Sequence, residues 1–122
     1  IGDEACTALA AGLKVNRTLA RLDLKSCLSI GDEGWKALGE SLKTNDALTS
    51  MDLQCCNISE VGYKALAEGL AINQALTSLD LAGCNIDVKG CTALAESLKI
   101  NRALTSMNLS HCQYVGDEGC KA

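Results

Sequence analysis

The sequence predicts an α/β solenoid, in which copies of one strand–helix unit stack side by side. The first observation is a period: the motif L-x-x-[LM]-x-L-x-x-C recurs after 29, 28 and 28 residues. The second is a change of pattern within each unit, since the first half alternates like a strand and the second half carries apolar residues at helical spacing. The third is the length of the unit, because one strand and one helix cannot bury their own apolar faces and must stack on copies.

The strand half of each unit places apolar residues at fixed positions. Leucine opens the motif, leucine or methionine follows three residues later, a second leucine comes two further on, and cysteine closes it. The opening leucines are Leu19, Leu48, Leu76 and Leu104, and the closing cysteines are Cys27, Cys56, Cys84 and Cys112. Because side chains alternate along a strand, we expect the leucines to point into the core and the residues between them to point out.

The start of each helical half carries a side chain that can accept hydrogen bonds from free helix amides. We expect Asp3 to cap the first amides of its own helix, as Asp32 and Asp117 do in the other G-D-E copies. Ser59 and Asp87 offer the same chemistry in the shorter units. These residues are therefore expected to precede the helical halves, which start at Ala5, Gly34, Gly62, Gly90 and Gly119.

The end of each helical half is an asparagine. Asn16 suits the left-handed position that often follows a helix. Within the first helix, Ala8, Leu9 and Leu13 are expected to face inward.

The whole chain, 1–122, is predicted to be one array. It divides into a partial unit at 1–18, full units at 19–47, 48–75 and 76–103, and a partial unit at 104–122. Strands joined by helices run parallel, and here they should pair in sequence order. Helices are roughly 10 Å wide whereas strands lie about 4.8 Å apart, so the array must curve with the sheet on its concave face.

The motif resembles the leucine-rich repeat family, and within it the helix-bearing subtype of ribonuclease inhibitor and the cytosolic NOD-like receptors. The residues that carry the resemblance are the strand motif and a G-x-x-A-L-A-x-x-L-x-x-N half such as 90–101. That subtype has units near this length and cysteine or asparagine at the position of Cys84. The resemblance implies a right-handed solenoid that binds proteins, and some relatives activate small GTPases through polar residues on the rim.

Composition and charge argue against several classes of protein. The net charge is −4, whereas nucleic-acid and anionic-membrane binding need clustered lysine and arginine. No apolar run approaches the length of a membrane span, and the first residues have neither the basic nor the apolar region expected of a signal peptide. Phenylalanine is absent, so the core must be built mainly from aliphatic residues and cysteine.

Eight cysteines raise the question of disulfides or zinc. Four of them hold the closing position of the motif and are predicted to form a buried row, whereas Cys55 falls on the strand-side surface. Cys6, Cys91 and Cys120 share one helix position with Trp35 and Tyr63. No C-x-x-C is present and His111 is the single histidine, so zinc would need ligands from separate units. Free buried thiols indicate a reducing compartment, and we expect a cytoplasmic protein.

The concave face is where a partner is expected to bind. Its second row of outward residues, which we call the aspartate row, consists of Asp23, Asp52, Asp80 and Asn108. Carboxylates on adjacent strands repel each other, and a basic partner would relieve that repulsion. The alternative is that an acidic residue is common here and is screened by serine or lysine neighbours. The predicted partner-binding residues are Arg21, Asp23, Lys25, Asp52, Gln54, Asp80, Asn108 and His111.

These residues predict a non-enzymatic scaffold that binds a protein partner, with no cofactor, nucleic acid or membrane. The outward rows lack a Ser-His-Asp or Cys-His-Asp set, and no glycine-rich phosphate loop is present. A GTPase-activating or other regulatory repeat protein is the first alternative. The second is a designed or recently duplicated repeat fragment with no specific ligand, because L-T-S-[LM]-[DN]-L occurs three times.

The two ends of the chain predict head-to-tail self-association. The first helix lacks a preceding strand, and the strand at 104–109 lacks a complete following helix. Residues 115–122 also repeat the pattern of residues 1–8. An open strand edge and a bare helix face favour end-to-end contacts between copies.

Overall fold

The computed structural model describes residues 2–112, in which helices and short strands alternate. The helices are α1 (Asp3–Val15), α2 (Asp32–Thr44), α3 (Glu60–Ile72) and α4 (Val88–Leu98), and the strands are β1 (Arg21–Asp23), β2 (Ser50–Asp52), β3 (Ser78–Asp80) and β4 (Ser106–Asn108). The predictions for Asp117, Cys120 and a helix after β4 lie outside the described residues.

The four strands form one parallel sheet in the order β1-β2-β3-β4. Each strand pairs with the next in register, so that Leu22, Met51, Leu79 and Met107 lie side by side. Successive helices pack against one another on the other side of this row. The predicted α/β solenoid, with strands paired in sequence order, is therefore confirmed.

The core lies between the sheet and the helices. The inward strand residues Met51 and Leu79 are each 1% exposed, and they pack in one cluster with helix leucines such as Leu66. Trp35 and Tyr63 are also buried, which shows that the variable helix position accepts large rings as well as cysteine. The position of the core between the sheet and the helices therefore agrees with the apolar pattern of the sequence.

Some inward assignments in the first unit were wrong. Ala8 is exposed, whereas Leu9 packs half-buried against the core, and Leu13, as predicted, lies with Cys6 and Ala10 on the buried side of α1. Leu19 is 40% exposed because β1 is an edge of the described sheet, with no strand on its outer side.

Asp3 does not cap its own helix. The residue before α1 is Gly2, and the first turn of α1 has no side-chain cap. The Asp3 carboxylate instead accepts hydrogen bonds from the amides of Gly31 (2.6 Å) and Gly34 (3.0 Å) at the start of α2. α2 also follows a glycine, which has no side chain to cap it, so the preceding unit supplies the acceptor.

The later helices are capped from within their own units, as predicted. Ser59 Oγ accepts from the Gly62 amide at 3.1 Å, and Asp87 Oδ1 accepts from the Gly90 amide at 2.8 Å. Asp32, which was predicted to cap α2, does not do so, because α2 has no cap from a side chain of its own. Its carboxylate instead accepts a hydrogen bond from Ser59 Oγ of the next unit at 2.7 Å.

The asparagines that end the helices are not left-handed. Asn73 has φ −66° and ψ 130°, an extended conformation. Its amide Nδ2 donates to the carbonyls of Leu42 (2.8 Å) and Asn45 (2.9 Å) in the preceding unit. Its Oδ1 accepts from the amides of Ala75 (2.9 Å) and Leu76 (2.7 Å), which lead into the next strand. One buried side chain therefore joins the end of one helix to the start of the following strand.

This arrangement repeats along the array and forms an asparagine ladder. Asn45 and Asn101 make the same two donor and two acceptor contacts as Asn73. Asn16 makes only the two acceptor contacts, because no unit precedes it in the described structure. The prediction of a left-handed helix end is therefore replaced by a contact between units.

Small residues let α2 and α3 approach each other closely. A Cβ atom on Gly39 would lie 2.4 Å from the carbonyl oxygen of Ala65, and one on Gly69 would lie 2.6 Å from the carbonyl oxygen of Gly39. No neighbour lies within 4 Å of the corresponding point on Gly12 in α1. Glycine at 39 and 69 is therefore required by packing.

Candidate functional site

The sheet register brings the aspartate row together on the concave face. Asp23 lies opposite Asp52, Asp52 opposite Asp80, and Asp80 opposite Asn108. Neighbouring strands are about 4.8 Å apart, so the side chains of this row are close enough to interact. The first row, Arg21, Ser50, Ser78 and Ser106, is aligned in the same way.

Each member of the aspartate row also supports the turn that follows its strand. Its Oδ1 accepts a hydrogen bond from the backbone amide two residues later, at 2.9–3.0 Å. The pairs are Asp23 with Lys25, Asp52 with Gln54, Asp80 with Ala82, and Asn108 with Ser110. Asp and Asn are favoured in such turns because their short side chains reach this amide. The row therefore has a structural role besides any role in binding.

The residues Ser26, Cys55, Gly83 and His111 hold one equivalent position in their units, and they lie in this turn and not on the strand. Ser26, Cys55 and His111 have φ of 60°, 59° and 57°, and Gly83 has φ of 74°. This left-handed region is sparsely populated by residues other than glycine. His111, a predicted partner-binding residue, is exposed in the turn after β4. Sequence reasoning missed the turn, although Gly83 at this position was a signal for it.

The repulsion within the aspartate row is screened from inside the chain. Lys25 Nζ lies 3.7 Å from Asp23 Oδ2 and 3.8 Å from Asp52 Oδ2. Gln54 Nε2 donates to Asp52 Oδ2 at 3.1 Å and to Asp80 Oδ2 at 3.0 Å. Screening by a lysine neighbour, part of the alternative raised from the sequence, therefore operates between β1 and β2, and the Gln54 amide, which the sequence did not suggest, bridges the carboxylates between β2 and β3.

Three threonines extend the polar surface at the start of the strands. Their hydroxyls donate to a carbonyl of the preceding unit: Thr49 to Ala20 (3.1 Å), Thr77 to Thr49 (3.1 Å) and Thr105 to Thr77 (3.2 Å). All three residues are exposed. Sequence reasoning missed this hydroxyl row, although the threonine recurs in each L-T-S segment.

The cysteine row is structural. Cys56 Sγ donates to the carbonyl of Leu24 at 3.1 Å, and Cys84 Sγ donates to the carbonyl of Leu53 at 2.9 Å. Burial raises the pKa of the Cys56 thiol to about 11 and that of Cys84 to about 12. These thiols therefore stay protonated and weakly reactive at neutral pH.

The burial predicted for this row holds only in its middle. Cys56 and Cys84 are buried, but Cys27 and Cys112 are half-buried, because fewer units cover them in the described structure. Cys55 is exposed, as predicted. Every cysteine among residues 2–112 is a free thiol.

Within residues 2–112, no three histidine, cysteine or acidic side chains converge where they could hold a metal ion. Among the described helices, none has the length and apolarity that crossing a membrane requires.

Fold and motif together define a repeat solenoid whose strands and cysteines recur once per unit. A leucine-rich repeat family model matches residues 15–39, 45–67, 73–95 and 101–122, which is more than half of the chain. The chain therefore belongs to the leucine-rich repeat family. The match does not distinguish subtypes, so the ribonuclease-inhibitor-like subtype stays a prediction. No curated protein matches the chain.

Solved structures that share this fold include the following two. Actin-binding site 2 of leiomodin-1 superposes with a TM-score of 0.73 at 19% sequence identity, covering 94% of this chain and 66% of that one. The C-terminal domain of tropomodulin from Caenorhabditis elegans gives a TM-score of 0.72 at 11% identity, covering 92% of this chain and 66% of that one. The chain thus spans 66% of the length of each, and the likeness is one of fold.

Proposed function

We propose that the chain is a non-enzymatic scaffold that binds a protein partner on its concave sheet face. One observation carries the proposal: polar side chains on four adjacent strands lie in register and are held in place by hydrogen bonds. Such a surface is already ordered before binding, so little conformational entropy is lost when a partner docks. The fold shared with actin-binding site 2 of leiomodin-1 supports a protein as the partner.

The residues proposed to contact the partner are those of the sequence prediction. Short polar side chains such as Ser78 leave the middle of the face open to a partner's backbone, beside the Gln54 amide that bridges Asp52 and Asp80. Arg21 is exposed on the edge strand β1, and His111 is exposed beyond β4, so these two would contact the margins of a partner. A partly basic partner is favoured, because the aspartate row carries three carboxylates and Lys25 is the lysine that screens it.

Two finer proposals concern subtype and location. The helices α1 to α4, one in each unit whose helical half is described, favour the ribonuclease-inhibitor-like subtype. Free thiols throughout residues 2–112 favour a reducing, cytoplasmic environment. Self-association stays a separate prediction, because part of its surface, residues 113–122, lies outside the described residues. No particular contact among the described residues supports the GTPase-activating alternative, which remains a prediction from the sequence.

Site-specific photo-crosslinking tests the use of the concave face. Benzoylphenylalanine is placed at Ser78 on the sheet and, as a matched control, at exposed Ala95 on the helix side. Lysate of the source cells is irradiated with each variant, and adducts are identified by mass spectrometry. We expect one adduct from Ser78 that is absent from Ala95 and is reduced by Asp52→Asn. Adducts of equal yield from both positions, or from Ala95 alone, would refute binding on the concave face.

A further inference from the structure

A groove runs along the outer side of the solenoid, between the helices α3 and α4. It consists of two adjoining hollows of about 270 and 330 Å³. Lys64 on α3 and Ala93 on α4 line both hollows, so the groove is continuous at these two residues. An engineered cavity of roughly 150 Å³ holds a benzene molecule, and each hollow therefore has room for a large apolar side chain.

The groove is apolar along its length and at both of its ends. The alanines Ala67, Ala71 and Ala93 line it, and their short side chains leave the hollows open. At its ends lie Val88, which is 46% exposed, and Ile100, which is 61% exposed. An exposed apolar strip with charged residues along its rim is typical of an interaction surface. The hollow between α2 and α3 differs, because charged residues form most of its described lining.

The spacing of the two hollows fits a helix better than a strand. Along α4, the residues that line one hollow lie within 88–93 and those that line the other lie within 93–100. The centres of these two sets are about six residues, or roughly 9 Å, apart. Residues i and i+7 of a partner helix are about 10.5 Å apart on one side. Same-side residues of a strand are about 6.6 or 13 Å apart, which is further from the observed spacing.

A charged residue at the junction of the hollows has no ion pair. Among the described residues, no carboxylate pairs with Lys64. By contrast, Lys89 pairs with Glu60 across the groove at 3.8 Å. Lys64 is therefore the lysine of the groove that is available to an acidic side chain from outside. On a helix with apolar residues at i and i+7, the positions between them on the same side are i+3 and i+4.

We propose that this groove binds an amphipathic helix of a protein partner, with large apolar residues at i and i+7 and an acidic residue at i+3 or i+4. The apolar residues fill the two hollows, and the carboxylate pairs with Lys64. Helix-in-groove recognition uses anchors of this spacing. The groove lies on the helix side of the core and is separate from the concave face, so the proposal does not depend on the function proposed above.

A designed peptide tests the groove without knowledge of the partner. It is a blocked, stapled helix of about 14 residues, with two leucines seven residues apart and a glutamate four residues after the first. It is titrated into the ¹⁵N-labelled full chain, and backbone amide shifts are followed by NMR. We expect saturable shifts concentrated in α3 and α4 around Lys64 and Ala93. In a control peptide the second leucine stands two positions earlier, on the other side of the helix, and binding should be at least tenfold weaker.

Two pairs of variants assign the contacts. Lys64→Glu should weaken binding at least tenfold, and a peptide with lysine in place of its glutamate should recover most of the loss. Lys14→Glu makes the same change on α1 and should alter the affinity by less than twofold. Ala93→Leu fills the junction of the hollows and should also weaken binding at least tenfold. Ala95→Leu adds the same group on the other side of α4 and should have less than a twofold effect, and thermal unfolding checks that all four variants fold.

Several outcomes would overturn the proposal. These are the absence of saturable shifts, equal binding of the control peptide, an undiminished response in Ala93→Leu, or no recovery in the charge exchange at Lys64. Decanoate is titrated as well, and equal shifts with it would assign the groove to small apolar molecules instead of a helix. Photo-crosslinking from Ser78 reports on the opposite side of the core. A Ser78 adduct without a response to the peptide would therefore reject the groove alone.

Discussion

Replacing Asn73 with alanine should destabilise the fold more than any exposed polar substitution. Asn73 is 3% exposed and makes two donor and two acceptor hydrogen bonds. Asn73→Ala removes the hydrogen-bond partner of three backbone groups that belong to buried residues. These are the carbonyls of Leu42 and Asn45 and the amide of Leu76. Each unsatisfied buried group costs about 1–3 kcal/mol. Because water reaches part of the space left by the side chain, we expect a loss of about 3–5 kcal/mol.

The comparison along the ladder makes this prediction specific. Asn16 makes only two acceptor contacts, to amides of the exposed residues Thr18 and Leu19, so Asn16→Ala should cost about 0.5–1 kcal/mol. Asn57 is exposed and should change stability by less than about 0.5 kcal/mol when replaced by alanine. Urea unfolding followed by far-ultraviolet circular dichroism and by the fluorescence of buried Trp35 measures all three. Equal losses in Asn73→Ala and Asn16→Ala would refute the role of the inter-unit bonds.

Three further predictions test packing and thiol burial. Gly39→Ala should destabilise by about 1–3 kcal/mol because its Cβ meets the Ala65 carbonyl, whereas Gly12→Ala, in open space, should stabilise by about 0.5–1 kcal/mol; thermal unfolding of both variants checks the sign. Leu79→Ala should cost about 2–5 kcal/mol and Ser78→Ala under about 0.5 kcal/mol in urea unfolding, and equal losses would contradict the inside–outside assignment. Burial raises the pKa of the Cys84 thiol to about 12 in the folded state, whereas in the unfolded chain the thiol has its ordinary pKa of 9.0, so stability should fall as pH rises between these two values. Urea midpoints between pH 7 and pH 10.5 should show a slope that Cys84→Val reduces, and an unchanged slope would count against burial of the thiol.

Features set by the alternation of apolar and polar residues could be predicted from the sequence. Met51 and Leu79 lie in the core and Asp52 and Asp80 lie opposite each other on the sheet, because a shift of one residue would exchange the two faces. The repeat made this pattern easier to recognise, since each unit independently indicated the same inward positions.

Features that depend on contacts between units could not be predicted from one unit's pattern. Asp3 was expected to cap its own helix, but its carboxylate accepts hydrogen bonds from the amides of Gly31 and Gly34, which lie 28 and 31 residues further along the chain. Asn73 looked like a helix-ending residue, but its donors bind carbonyls of the preceding unit. Residue type alone indicates the capacity for a hydrogen bond, and the partner is decided by how the units stack.

The candidate site was predicted in its position but not in its detail. The aspartate row was placed on the concave face, yet the bridging roles of Lys25 and Gln54 depend on side-chain reach between strands. The left-handed turn that carries Cys55 and His111 has no periodic signal, because neither residue is one that usually adopts that conformation. Binding by these residues stays a prediction.

The cap that Asp3 provides for α2 means that the units are not freely interchangeable. A unit whose helix begins after glycine, as α2 does after Gly31, depends on its upstream neighbour for an acceptor. A unit with its own cap, as α3 has in Ser59, does not. If units were shuffled or duplicated, those of the second kind could be inserted anywhere, while those of the first kind would lose a helix cap unless an aspartate-bearing unit came before them. The order of units along the chain is thus constrained by which unit supplies the hydrogen-bond acceptor for each helix start, as well as by the shape of the stack.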